Sequence, residues 1–214
     1  MIVDERMASF INSFATPNSL FLDELEKYSL ETNVPIVRKE MQTLMKFLLA
    51  MKKPSSILEV GTAIGFSAVL MAENTSEKTH ITTIEKYEKR IPLAKENFSK
   101  AGIENRVTFL EGDATTILKN LDGTYDFIFM DAAKGQYINF FPDIMRLLAK
   151  DGILLSDNVM QDGDVLESRY AVERRNRTIY ARMRDYLYEL THNESLTTAI
   201  LPVGDGVTVS VRIK

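Results

Sequence analysis

Before Pro54 the apolar residues recur at helical spacing, and beyond it they fall in strand-length blocks. Met7, Phe10, Ile11 and Phe14, then Leu20, Phe21, Leu25 and Tyr28, repeat at the three- and four-residue intervals of one helix face. Pro17 interrupts them, so the pattern predicts two short helices. Pro35 opens a third, with Met41, Leu44, Met45, Leu48 and Leu49 on one face. From Ser55 onward the pattern alternates. Strands are predicted at Ser56–Val60, His80–Glu85, Val107–Glu111, Phe127–Asp131, Ile153–Ser156, Thr198–Pro202 and Val207–Ile213. Helices are predicted over 65–74, 87–101, 114–120, 136–149 and 169–191. Strand–helix alternation with short turns indicates an α/β fold with a doubly wound, mostly parallel sheet. Gly204-Asp205-Gly206 reads as the tight turn of an antiparallel C-terminal hairpin. No repeat or linker divides the chain, which reads as one domain. Its N-terminal helices (1–54) are expected to cap a site, form a dimer surface or simply pack on the sheet of the 55–214 core.

The stretch YDFIFMDAAKGQY, Tyr125 to Tyr137, carries the densest chemistry. Its apolar run is that of a strand buried on both faces. Asp131 stands at its carboxyl end, where open α/β sheets place ligands, and Lys134 follows three residues later. A second apolar strand ends in Ser156-Asp157-Asn158. If the two strands are neighbours, Asp131, Asp157 and Asn158 meet at one rim. Two carboxylates and an amide carbonyl are hard oxygen ligands, suited to Mg²⁺, Mn²⁺ or Ca²⁺ rather than zinc. The plainer reading of each Asp is a cap for the segment that follows.

Three earlier strand ends suggest a nucleoside cofactor. EVGTAIGFS, Glu59 to Ser67, turns sharply at two glycines as a helix begins. The spacing is not that of a dinucleotide fingerprint. It suits S-adenosylmethionine (SAM), where no pyrophosphate has to be cradled. Glu85 ends the second strand, at the distance from the glycine turn expected of a ribose-binding acid. Asp113 and Ala114 end the third, a carboxylate for an adenine amino group and a backbone N–H for its ring nitrogen.

Composition narrows the classes. The 214 residues contain no cysteine and two histidines, which excludes disulfides, thiolate sites and cysteine nucleophiles and argues against a multi-histidine zinc centre. No apolar run approaches the roughly 18 residues of a membrane span, and the N-terminus does not read as a signal peptide, so a cytoplasmic protein is expected. The net charge of −4 argues mildly against nucleic-acid binding overall.

Together ILEVGTAIGFS, IEK, GDA, MDAAK, SDN and the ending LPVGDGVTVSVRIK resemble the cation-dependent O-methyltransferases, the family of catechol and caffeoyl-CoA O-methyltransferases. The resemblance covers about Pro35 to Lys214. It implies a Rossmann-like SAM-dependent methyltransferase fold, a Mg²⁺-type ion on Asp131, Asp157 and Asn158, and Lys134 as general base. Cofactor contacts map onto Ile36, Glu59, Gly61, Ser67, Glu85, Asp113, Ala114 and Asp131. A homodimer is a family-level expectation. Lys134 could instead stay charged and stabilise an oxyanion. A SAM-binding scaffold without activity is a third reading, disfavoured by the presence of the lysine and all three ligands.

The branch most similar is that of bacterial tRNA 5-hydroxyuridine methyltransferases, on NVPI at Asn33–Ile36, GTAIGFSA and an arginine-rich stretch after SDNV. Between Arg169 and Arg184 the chain has six arginines against a single acid, Glu173. A local basic face of that kind can be a phosphate footprint. Arg174, Arg175, Arg177 and Arg182 are the RNA-contact candidates, with helical spacing pairing Arg174 with Arg177 and Arg175 with Arg182. The expected reaction is methylation of 5-hydroxyuridine in a tRNA anticodon to 5-methoxyuridine. The alternative is a small catechol or a caffeoyl-CoA-type substrate.

Overall fold

The computed structural model describes residues 3–214. Seven strands form one sheet: β1 (Ser56–Val60), β2 (His80–Glu85), β3 (Val107–Glu111), β4 (Tyr125–Met130), β5 (Leu148–Ser156), β6 (Leu196–Leu201) and β7 (Val207–Arg212). Their spatial order is β3-β2-β1-β4-β5-β7-β6. The first five run parallel, and β7 pairs antiparallel with both β5 and β6. Ile57, Phe127, Phe129 and Leu155 face one apolar layer, while Leu58, Val60, Ile128 and Leu154 face the other. This two-residue alternation, apolar on both sides, is what a sheet covered by helices on both faces requires.

The first layer is closed by α2 (Leu20–Thr32), α3 (Lys39–Lys52), α4 (Phe66–Glu73) and α5 (Ile91–Lys100). The second is closed by α6 (Ala114–Asn120), α7 (Tyr137–Leu147) and α8 (Arg177–His192). The outermost helix, α1 (Glu5–Asn12), buries no side chain and leaves Met7, Phe10 and Ile11 exposed. Pro17 does separate two helices, as its missing N–H and fixed φ require.

Gln42 ties this N-terminal region together. It is buried, and its amide nitrogen donates to Val37 O at 3.0 Å and to Glu26 Oε1 at 3.1 Å. Its amide oxygen accepts from Asn18 at 2.8 Å. The segment between α2 and α3, residues 33–38, is thereby fixed against the core.

Three expectations need correction. The helix predicted over 169–191 begins at Arg177; Arg174 and Arg175 lie in a short 3-10 turn, Arg174–Asn176. Ala171 and Val172 turn back on Ser168 O, and Val172 is buried, so the chain folds inward before α8 starts. Hence the helical pairing of Arg174 with Arg177, and of Arg175 with Arg182, does not hold. The helix predicted from 87 begins at Ile91, with Pro92 in its first turn, where a proline costs no hydrogen bond. The expected tight turn at Gly204-Asp205-Gly206 is part of a longer connection, residues 202–206, that folds back onto the rim beside Asn158. There Gly206 O and Asp205 O accept from the backbone of Val159 and Met160.

Candidate active site

The glycine turn after β1 packs directly onto the end of β4. Gly61 has φ of +106°, and a Cβ there would collide with the backbone carbonyl of Asp131. Gly65 has φ of +87° and would drive a Cβ into the Phe98 ring. Glycine is required at both for conformation and for space. The N–H groups of Gly61 and Thr62 both donate to Ile84 O, at 3.1 and 3.2 Å, which seals the turn to β2.

A cleft of about 340 Å³ opens above this turn. Ile36, Gly61, Ser67, Glu85, Asp113, Ala114 and Asp131 all line it. Glu85 is held by three backbone N–H groups, from Ala63 at 2.8 Å, Lys86 at 2.9 Å and Tyr87 at 2.8 Å. Asp113 caps α6 through Thr115 N at 2.8 Å and lies 3.3 Å from Lys86 Nζ. The Thr115 hydroxyl and N–H hold its carboxyl below the usual range, and Lys86 adds to this. Glu59 alone of the expected cofactor contacts stands behind the wall. It is fully buried and accepts from the hydroxyls of Ser67 and Thr83, each at 2.5 Å. Burial pushes its carboxyl up to about 7, against the lowering effect of those two hydroxyls.

A second cavity of about 190 Å³ adjoins the first and shares Pro35, Ile36 and Asp131 with it. Asp157 and Asn158 line it as well, so the structure brings the three expected metal ligands together. Strand neighbours explain this: Met130 pairs with Ser156, which sets Asp131 and Asp157 at adjacent strand ends. Asn158 adopts φ of +57°, a left-handed conformation asparagine tolerates, and its Nδ2 reaches Asp131 Oδ1 at 3.3 Å. Tyr137, fully buried, has its hydroxyl 3.1 Å from both Met130 O and Asp157 O, bridging the two strand ends.

Burial raises both carboxyls. Asp131 further raises Asp157, while the Asn158 amide and Lys134 oppose the rise at Asp131. Two like charges forced together in a dry rim, with an amide oxygen beside them, form a donor set that a hard divalent cation fits. Among the described residues no three His, Cys, Asp or Glu gather as a metal cluster; the third member here is an amide.

Lys134 lies in a short 3-10 turn, Lys134–Gln136, after β4, and lines neither cavity. Its Nζ is 3.1 Å from Oδ2 of Asp205, whose side chain is 3% exposed. Oδ1 of Asp205 accepts from Asp162 N at 2.6 Å. Sequence reasoning missed Asp205, because an Asp between two glycines is ordinary turn chemistry; only the fold brings it back to the rim.

The arginines divide. Arg177 donates to Val172 O at 3.1 Å, Arg182 to Gly135 O at 3.1 Å and Arg184 to Val165 O at 3.1 Å, so these three fasten the segment between β5 and α8 and the turn after Lys134. Arg169, Arg174 and Arg175 are exposed, with Arg175 2.7 Å from Glu173.

Comparison with known proteins bears on this geometry. The model of a family described as O-methyltransferase matches residues 12–213. Caffeoyl-CoA O-methyltransferase 2 of Populus trichocarpa is 30% identical, covering 90% of each chain. A solved structure from Staphylococcus aureus, provisionally assigned as a caffeoyl-CoA O-methyltransferase, is 34% identical with a TM-score of 0.88, over 98% of this chain and 100% of that one. The SAH-bound methyltransferase PaMTH1 of Podospora anserina is 29% identical with a TM-score of 0.86, over 98% and 94%.

Proposed function

The chain belongs to the O-methyltransferase family, and we propose that it moves the methyl group of SAM to one oxygen of an adjacent oxygen pair held at a divalent cation. The observation that carries this reading is the pair of cavities meeting at Asp131. One is lined by glycine turn, Glu85 and Asp113; the other by Asp157 and Asn158. A methyl group crossing between them passes Asp131, and holding the two partners on either side of that point supplies most of the catalysis by positioning.

Asp131, Asp157 and Asn158 would hold the cation, with Mg²⁺, Mn²⁺ or Ca²⁺ all compatible with the oxygen donors. When bound there, such a cation would supply Lewis-acid chemistry, lowering the pKa of a substrate hydroxyl beside it. In this reading Lys134 takes the hydroxyl proton at Nζ, and Asp205 fixes where Nζ lies. Glu85 receives the ribose hydroxyls on the carboxylate that three backbone N–H groups already orient.

We extend the reading to a substrate, 5-hydroxyuridine in a tRNA anticodon, whose oxygen pair is the 5-hydroxyl and the 4-carbonyl. The exposed Arg169, Arg174 and Arg175 support it. They lie on the segment whose Asp162 is bonded to Asp205, and such a basic edge attracts phosphates. A catechol or caffeoyl-CoA-type substrate is the second reading, favoured by what the relatives are named for. Purified protein with SAM and Mg²⁺, given 5-hydroxyuridine-containing tRNA, catechol and caffeoyl-CoA in parallel, tests both. Nucleoside mass spectrometry should find 5-methoxyuridine in the tRNA. Its absence, with turnover on either small substrate, would reverse the order of the two readings.

A further inference from the structure

Among the described residues Arg38, which is solvent-exposed, is the only cationic side chain on the wall of the cavity that Asp131, Asp157 and Asn158 line. Among the described residues its guanidinium meets no carboxylate within 4.0 Å and makes no side-chain hydrogen bond. The acids across the cavity have other partners. Asp131 Oδ1 accepts from the Asn158 amide, and Asp157 Oδ1 from Asn158 N at 2.7 Å. Arg38 is nonetheless placed with care. Its carbonyl accepts from Gln42 N at 2.9 Å, and the neighbouring Val37 O is the acceptor of the buried Gln42 side chain. On its other side stands Gly204, where an added Cβ would lie 3.6 Å from Arg38 Cδ. A planar five-donor group, anchored at its backbone and open at its tip, is suited to one thing: bidentate binding of an oxyanion.

We propose that Arg38 is a specificity-determining residue that binds an anionic group, phosphate or carboxylate, on the substrate whose oxygen pair sits at Asp131, Asp157 and Asn158. This rests on the reading of that rim as the acceptor site. For a nucleotide substrate the anion is the phosphate beside the modified base; for a catechol-type substrate it is a ring-attached carboxylate. Arg38 is thus a different feature from the basic edge at Arg169, Arg174 and Arg175. That edge lies on the segment before α8, whereas Arg38, also exposed, reads one charge at the open side of the cavity.

The test uses two ligand pairs with the same oxygen pair, one member of each carrying an anion. These are 5-hydroxyuridine with its 5′-monophosphate, and catechol with 3,4-dihydroxybenzoate. Calorimetric Kd values and kcat/KM are measured for the full chain with Mg²⁺, as wild type, Arg38→Met and Arg38→Lys. Arg38→Met keeps the apolar stem that packs near Gly204, and Arg38→Lys keeps the charge. In the wild type the anionic member should bind about 10- to 100-fold more tightly, the scale of one charge-assisted contact. Arg38→Met should bring the ratio to near one, and Arg38→Lys should restore part of it. An unchanged ratio in Arg38→Met, whether both ligands weaken or neither does, overturns the proposal, as does a wild type without preference. A preference seen only in the catechol pair supports Arg38 and overturns the tRNA reading. If no member of either pair is methylated while the binding preference follows Arg38, the anion subsite stands and the reading of the rim as a methyl-acceptor site falls.

Discussion

Lys134 Nζ and Asp205 Oδ2 lie 3.1 Å apart, joining the turn after β4 to the loop before β7 across 71 positions of sequence. The carboxylate is the buried partner, and its second oxygen is already engaged by Asp162 N. If Lys134 moves the proton, Asp205 decides where it waits. Lys134→Ala should lower kcat by about 100-fold or more, the scale of general-base catalysis, with SAM affinity nearly unchanged. Asp205→Asn should lower kcat by a smaller factor. The double variant should be no slower than Lys134→Ala, because residues that act as a unit are not additive. Steady-state rates and calorimetric SAM titration measure both quantities; additive losses would separate the two residues.

The rim of Asp131, Asp157 and Asn158 predicts dependence on a divalent ion. EDTA should stop turnover and added Mg²⁺ should restore it. Asp157→Ala and Asn158→Ala should abolish turnover while leaving SAM binding nearly intact, because neither residue lines the larger cleft. Asp131→Ala should harm both, since Asp131 lines both cavities. Full-rate methylation by metal-free protein would dismiss the ion.

Glu85 accepts from Ala63, Lys86 and Tyr87, so its carboxylate shapes the turn as well as offering a ligand contact. Glu85→Ala should weaken SAM binding by about 1.5–3 kcal/mol, the scale of hydrogen bonds to a charged group. Titration calorimetry showing unchanged affinity would remove it from the ribose role.

Glu59 predicts a pH dependence of stability. Its folded-state carboxyl sits at about 7 against an ordinary 4.5. Between these values the folded protein retains a proton that the unfolded chain has released. Stability from this group is therefore full below about pH 4.5 and falls as pH rises through 7, by about 3 kcal/mol at most. Glu59→Gln, which keeps the shape and cannot ionise, should flatten the decline in melting temperature between pH 5 and pH 8. Parallel pH curves for wild type and variant would mean that Glu59 is charged in the fold.

Much of this was legible in the sequence because parallel strands advertise themselves. β1, β2 and β3 occupy the predicted residues, their ends marked by Gly61, Glu85 and Asp113. What was not legible follows from two physical facts. β7 runs antiparallel to β5, so its leading end, not its trailing end, reaches the ligand rim. A scan for polar residues after strands therefore passes over Asp205, which precedes one. The arginines misled for a different reason. A guanidinium that ties down backbone carbonyls, as Arg177, Arg182 and Arg184 do, looks the same in sequence as one that faces solvent.

The Gln42 tie carries a consequence for how ligands come and go. Pro35 and Ile36 wall both cavities, and the segment that carries them is steadied by a buried amide bonded to Asn18 and Glu26 of the N-terminal region. α1 buries no side chain and α2 only Leu22, Leu25 and Ser29. Elements with few buried side chains open locally below the cost of global unfolding, and such opening here is expected to loosen the shared wall while the sheet stays intact. Breathing of the N-terminus and opening of the site are then one motion. Amide hydrogen exchange should show it: SAM bound in the cleft, which no residue of α1 or α2 lines, should slow exchange within them, and Gln42→Ala should uncouple the two.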